Sequence, residues 1–234
     1  MAYRLAEARR AMEALGANPD DTAQAIRAIA AMSGSSPERC FRRFRQSQQG
    51  ERILREKREL YDVLADLACL GAMPEGSLGR AIWDFYTVEQ ISAQGLKGAS
   101  EDAVGEGGFF AGDDDRARFA RRLRELHDVF HVLTGYGRDV RGEIACLSFT
   151  FAQTKNTGIG YLALRVLRGA GWSSEMGQLI RQAFWRGRRA EWLIDRDWEA
   201  LLPVPLDRLR RDLGVGPPPA YQPVRSAGAP PLPN

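Results

Sequence analysis

Phe119, Leu123, Leu126, Phe130 and Leu133 recur at spacings of 4, 3, 4 and 3 residues. That rhythm lays one apolar stripe along an α-helix. It does not suit a strand, whose faces alternate at every second residue. Asp113, Asp114 and Asp115 stand at its start, where carboxylates favour the positive helix end. Gly135-Tyr136-Gly137 breaks it and can turn the chain back. A second stripe follows: Val140, Ile144, Leu147 and Phe151, in a helix from about Asp139 to Thr154. Two such helices joined by so short a turn are expected to pack antiparallel.

Other segments read as helices too. They run from Thr22 to Met32, Pro37 to Arg45, Glu51 to Leu70, Leu78 to Ala93, Ile159 to Arg168, Ser174 to Ile194 and Asp207 to Leu213. Ser36 before Pro37, and Ser77 before Leu78, supply N-cap chemistry. Residues 95–112 are glycine-rich and polar and predict a flexible loop. No segment sustains strand alternation. The predicted fold is all-α: one helical domain over 1–213, then a Pro/Gly-rich extended tail over 214–234.

Composition narrows the partners. Thirty-three basic against thirty acidic residues leave a net charge of +3, with the two signs interspersed. That is not the footprint of a nucleic-acid-binding surface. Cys40, Cys69 and Cys146 are far apart and odd in number, which predicts free thiols in a reducing compartment. No apolar run reaches the roughly 18 residues of a membrane span, and the first residues carry no apolar leader core. A cytoplasmic protein is expected, with attachment to the inner face of the cell membrane left open.

The chemistry gathers in one place. The chain has two histidines, His127 and His131, and both lie on the first stripe's helix at i, i+4. That spacing sets two imidazoles one turn apart. Asp128 adjoins the first, and Glu143 lies twelve residues past His131, inside the second apolar stripe. An unpaired carboxylate there would be costly to bury, so Glu143 should have a partner. A divalent cation held by His127, Asp128, His131 and Glu143, between the two helices, supplies one. Two imidazoles and two carboxylates suit zinc, iron or manganese. Asp128 can be a ligand itself or can orient a histidine. A zincin protease is excluded, since it needs glutamate where Asp128 stands. An HD-type phosphohydrolase needs more histidines than two.

His127-Asp128-x-x-His131-x11-Glu143 resembles the metal motif of the coenzyme Q (ubiquinone) biosynthesis protein four family. Pro74-Glu75-Gly76-Ser77-Leu78-Gly79-Arg80, His131-Val132-Leu133-Thr134-Gly135-Tyr136 and the stretch from Phe149 to Thr154 resemble that family's other words. The resemblance runs from about Leu60 to Trp192. It implies an all-helical fold, a bound divalent metal most often given as zinc, and a role in making ubiquinone. The linked activity is oxidative decarboxylation of a polyprenylated hydroxybenzoate, in which a hydroxyl replaces the carboxylate at ring carbon 1. The family is also linked to organising a complex of ubiquinone biosynthesis proteins at a membrane surface. A non-catalytic scaffold that binds the isoprenoid lipid and presents it to partner enzymes is therefore the alternative to a metalloenzyme, and a homodimer is compatible with either.

A prenylated hydroxybenzoate or other isoprenoid lipid needs an apolar path and an anchor for its head. Ile159, Tyr161, Leu162, Leu164, Val166 and Leu167, with Leu179, Ile180 and Phe184, are candidates for the path, although the same spacing suits ordinary core. Arg80, Lys155 and Tyr161 are the candidate substrate contacts, Arg80 lying near a helix N-terminus.

Overall fold

A computed structural model describes residues 2–19, 21–105 and 108–225. Among them are fourteen helices and no strand. They are α1 (Leu5–Ala17), α2 (Thr22–Met32), α3 (Ser36–Gln46), α4 (Gln48–Arg55), α5 (Leu60–Ala65), α6 (Leu67–Gly71) and α7 (Leu78–Glu89). These are followed by α8 (Ala93–Val104), α9 (Asp115–Thr134), α10 (Val140–Thr154), α11 (Thr157–Ala170), α12 (Glu175–Arg189), α13 (Trp198–Leu201) and α14 (Leu206–Asp212).

The longest, α9, is the axis. Asp114 caps it, its side chain accepting from the Arg116 and Ala117 amides, and Gly135 closes it in the left-handed region at φ 76°. Asp139 caps α10 in the same way, taking the Arg141 and Gly142 amides. The two caps fix both ends of the turn at 135–139, so α10 begins where it can pack on α9. Around α9 lie α4, α5, α7, α8 and α14. Phe130 stands at the centre, edge-on to Phe149 of α10 and to Trp198 of α13. A smaller apolar cluster joins Ile144, Leu162, Ala163, Leu167 and Ile180, tying α10 to α11 and α12.

Four local expectations need correction. Residues 51–70 are not one helix. The chain breaks after Arg55, Lys57 takes a left-handed φ of 52°, and Asp66 caps α6 by accepting the Cys69 amide. The break places Glu59 between Arg118 and Arg121 of α9, an ion-pair cluster that contiguous helix would not reach. Residues 95–112 are not a free loop, because most form α8. Ser92 caps it, and packing on α2, α5 and α9 offsets the helix penalty of Gly95 and Gly98, roughly 1 kcal/mol each. The helix expected to reach Ile194 ends at Arg189, with Trp192 beyond it.

The fourth correction concerns α10. Its deepest residues are Ala145, Cys146 and Phe149, fully buried against neighbouring elements. Small residues allow this: Gly187 of α12 lies so close that an added Cβ would meet the Phe149 carbonyl and Ala152. The stripe of Val140, Ile144 and Leu147 instead lines a cavity. Part of the Pro-rich tail is extended and docked: the Val140 amide donates to the Val224 carbonyl, and the Tyr221 hydroxyl to Asp139. Residues 226–234, the end of that expected tail, lie outside the described residues.

Candidate metal centre

His127 and His131 project from α9, and Glu143 reaches them from the first turn of α10. The two imidazole Nε2 atoms are 3.1 Å apart, and Glu143 Oε2 lies 3.3 Å from each. His131 Nδ1 is 2.8 Å from the Tyr136 carbonyl oxygen. A carbonyl can only accept, so Nδ1 carries the hydrogen, and Nε2 of the neutral ring presents its lone pair. That lone pair faces both an imidazole and a carboxylate oxygen. Only a proton or a cation makes such a meeting favourable.

The dimensions suit a metal. A tetrahedral ion with N and O bonds of about 2.0 Å has ligand-to-ligand edges of about 3.3 Å. The observed triangle has edges of 3.1, 3.3 and 3.3 Å. Its electrostatics point the same way. Burial pushes Glu143 up, yet the two imidazoles outweigh it and hold the carboxyl far below the usual range. Burial and the neighbouring His131 push the His127 ring down, and contacts with Cys146 and Glu143 outweigh them, lifting it to about 9. A site that so favours positive charge can accept a cation.

The surroundings hold the ligands in place. Phe85 of α7 stacks on the His131 ring, centroids 5.6 Å apart. The next residue, Tyr86, donates its hydroxyl to Asp128 Oδ2 at 2.9 Å. Both are buried, and burial raises the Asp128 carboxyl. The stretch Pro74 to Arg80 therefore has a physical link to the histidine motif, because it starts the helix that carries Phe85 and Tyr86. Asp128 thus accepts from Tyr86, a contact that sequence reasoning did not anticipate.

His127 and Glu143 also line a cavity of about 1290 Å³, walled by α1, α2, α3, α9, α10 and α11. Glu143 was expected inside a closed apolar stripe; its side chain is instead one-third exposed, and that stripe is the cavity wall. The wall is mostly apolar and includes Ile29, Phe41, Phe110, Leu123, Leu147 and Val166. Of the expected path, Ile159, Leu162 and Val166 face it, whereas Leu167, Leu179 and Ile180 are core and Leu164 is exposed.

The candidate substrate contacts lie elsewhere. Arg80 donates to the Gly71 carbonyl and lies over the Trp83 ring, bracing a turn. Lys155 donates to the Ala152 carbonyl at the end of α10. Neither they nor Tyr161 line the cavity. The cations that do are Arg4, Arg116, Arg124 and Arg138. Arg138 Nε is 3.6 Å from Glu143 Oε1, and Arg124 sits one helical turn before His127 with its buried Nη1 unpaired. Sequence gave no signal for these two among so many arginines.

A further residue lies at the centre. His127, His131 and Cys146 each offer a ligand atom, and these atoms lie within 4.8 Å of one another. Burial pushes the Cys146 thiol up, but His131 and His127 outweigh it and draw it down to about 7. Cys40, Cys69 and Cys146 are all free thiols, Cys40 and Cys146 buried and Cys69 exposed. Among the described residues no helix is long and apolar enough to cross a membrane.

The comparisons agree with this architecture. A protein from Aspergillus oryzae named ubiquinone biosynthesis protein coq4, mitochondrial, is 31% identical over 178 residues, covering 74% of this chain and 59% of its own. The Mus musculus ubiquinone biosynthesis protein COQ4 homolog, mitochondrial, is 30% identical over 176 residues, covering 73% of this chain and 62% of its own. The chain thus spans about three-fifths of the length of these relatives. A crystal structure from Nostoc punctiforme, 18% identical, matches with a TM-score of 0.61 over 92% of this chain and 100% of that one, which shows a shared fold. The family model described as Coenzyme Q (ubiquinone) biosynthesis protein Coq4 matches residues 8–219. The all-helical fold, the shared sequence and this match agree: the chain belongs to the Coq4 family.

Proposed function

We propose that this protein acts in ubiquinone biosynthesis as a metal-dependent enzyme. Its reaction replaces the ring carboxylate of a polyprenylated hydroxybenzoate with a hydroxyl. One observation carries the reading: the His127–His131–Glu143 triangle opens, through His127 and Glu143, onto an apolar cavity of about 1290 Å³. Pockets for drug-sized ligands are typically about 300–1,000 Å³, so this one has room for an aromatic head and a long apolar tail.

The metal would be held by His127, His131 and Glu143, with Asp128 either a ligand or the group that orients a neighbouring histidine. Zinc is the first candidate, with iron or manganese as alternatives. When bound, the ion supplies a Lewis acid for the ring carboxylate and its neighbouring oxygen. The Tyr136 carbonyl keeps the His131 proton on Nδ1, so that its Nε2 faces the site. Arg138, which faces Glu143, and the Nη1 of Arg124, whose other nitrogens face Glu125, offer the anionic head N–H donors. The apolar wall from α1, α2, α10 and α11 takes the tail and excludes water. Exchanging carboxylate for hydroxyl is a two-electron oxidation that releases carbon dioxide, so an oxidant of the dioxygen class takes part. Working partners are other ubiquinone biosynthesis proteins and a membrane surface that delivers the lipid.

A single-turnover assay tests this. Purified metal-loaded protein is mixed with a prenylated hydroxybenzoate labelled in its carboxyl carbon, under oxygen. Release of labelled carbon dioxide with formation of the hydroxylated ring is expected. Tight binding of the lipid without turnover would instead establish the scaffold.

A further inference from the structure

We infer that Tyr221 is a positioning residue for the metal centre: its hydroxyl couples the Asp139 carboxylate to His131 through a single peptide unit. The inference rests on the metal reading above and adds a residue beyond the matched residues 8–219. The Tyr221 hydroxyl donates to Asp139 Oδ2 at 2.6 Å and accepts from the Gly137 amide at 2.9 Å. That amide and the Tyr136 carbonyl belong to one planar peptide unit. The carbonyl in turn accepts from His131 Nδ1 at 2.8 Å. Donation thus runs in one direction, from the imidazole through the peptide and the hydroxyl to a carboxylate. Hydrogen bonds in such a row polarise one another. The Tyr136 oxygen becomes a stronger acceptor, and Nε2 of His131 a more basic ligand. Metal-binding histidines commonly gain this help from a carboxylate or carbonyl in direct contact; here a carbonyl relays it from a carboxylate further off.

The fold makes room for this row. Asp139 is 3% exposed, and its Oδ1 takes the Arg141 and Gly142 amides, leaving Oδ2 for Tyr221. A Cβ on Gly142 would lie 2.6 Å from the Tyr221 hydroxyl and 2.1 Å from the Gly137 carbonyl oxygen, so glycine is what admits the hydroxyl. Burial and the Asp139 contact raise the Tyr221 hydroxyl above its ordinary value, so it stays protonated and donates. The Glu143 amide donates to the Asp139 carbonyl at 2.8 Å. Tyr221 therefore joins the turn behind His131 to the cap that sets the backbone of Glu143. On the same strap, the Val224 amide donates to Asp139 Oδ1 at 3.0 Å, and Arg225 donates to Glu89 at the end of α7 at 2.7 Å.

The test reads two quantities: zinc affinity, by competition with a chromophoric chelator, and the His131 Nδ1 proton resonance of the zinc-loaded, nitrogen-15-labelled protein. Tyr221→Phe, which removes only the hydroxyl, should still bind one zinc but roughly 10-fold more weakly. Its His131 Nδ1 proton should move upfield as the bond to the Tyr136 carbonyl weakens. Asp139→Asn keeps a capping oxygen and should do the same. The double variant should be about as weak as either single, because both act through one row of hydrogen bonds. Arg225→Ala loosens the same strap but leaves the hydroxyl, and should bind zinc within about twofold of wild type. Zinc affinity kept in Tyr221→Phe, an unmoved His131 proton, losses that multiply in the double variant, or an equal loss in Arg225→Ala overturns the inference and leaves the metal reading standing. No zinc bound by the wild type overturns both. Should Tyr221→Phe fail to fold, Asp139→Asn decides by the same two readings.

Discussion

The two halves of α9 treat buried charge in opposite ways. In the first half, Arg122 is 2% exposed and donates to both carboxylate oxygens of Glu199, at 2.7 and 2.8 Å, and to the Arg196 carbonyl. Arg118 and Arg121 share Glu59. Each of these cations meets an anion of its own fold. In the second half, two imidazoles and a carboxylate oxygen crowd within 3.3 Å. Arg138 approaches the other oxygen of Glu143 at 3.6 Å. Paired buried charge fixes how α9 sits among its neighbours. The imidazoles and the carboxylate, brought together by α9 and α10, are where we propose that an added cation binds.

If that contrast is right, mutations in the two halves should fail differently. The largest effect expected is the loss of stoichiometric metal in His131→Ala and in His127→Ala, read by elemental analysis, with most helicity kept by circular dichroism. Full metal retention in both would erase the distinction between the halves. Arg122→Ala should do the reverse: metal stoichiometry is kept in the folded fraction, but denaturant unfolding shows a loss of about 3–5 kcal/mol, because Glu199 is left buried without its partner.

The contrast sharpens with pH. The histidine pair, facing Glu143, holds a proton that the metal must displace, since His127 is lifted to about 9. Apparent zinc affinity should therefore fall about tenfold for each pH unit below about 9. In metal-free protein the His127 contribution runs oppositely: a histidine whose folded pKa is raised adds stability that is fully present below its unfolded value of about 6.5 and lost as pH rises through about 9. The Cys146 thiol, drawn down to about 7, adds stability as pH rises over the same window, so the two largely offset and metal-free stability should change little. Unfolding curves at pH 6 and 9.5, with and without zinc, check both expectations. The Arg122–Glu199 half should contribute no such dependence over that range.

Smaller effects come from the edges. Tyr86→Phe removes the hydroxyl that holds Asp128 and should weaken metal binding roughly 10- to 100-fold while leaving stoichiometry at one. Arg80→Ala should leave isoprenoid-lipid binding within about twofold of wild type, because Arg80 braces the Gly71 turn away from the cavity.

Much of this was legible in the sequence, for local reasons. The spacing of Phe119, Leu126, Phe130 and Leu133 predicts the buried face of α9, and all four are core. Asp114 and Asp139 are readable caps, and histidines at i, i+4 must share a helix flank. What escaped depends on contacts distant in sequence. Residues 95–112 read as a loop because glycine weakens a helix locally, yet packing on α2 and α9 stabilises α8. Glu59 breaks a helical pattern to reach arginines about 60 residues away. The α10 stripe has the right period, but which face meets core and which meets cavity is decided by Gly187 on another helix. Cys146 carried no spacing signal, since its partners lie on α9, and arginines are too frequent for Arg138 to stand out.

Anomalous diffraction at the zinc edge from crystals of the zinc-loaded protein tests the central claim most directly. The account predicts a single strong peak at bonding distance, about 2.0–2.3 Å, from His127 Nε2, His131 Nε2 and a Glu143 oxygen, at the end of the apolar cavity. Crystals soaked in zinc that show no peak there, with a proton bridging the two imidazoles by neutron density, would mean that the cluster is closed by hydrogen bonds alone and that the metal reading is wrong.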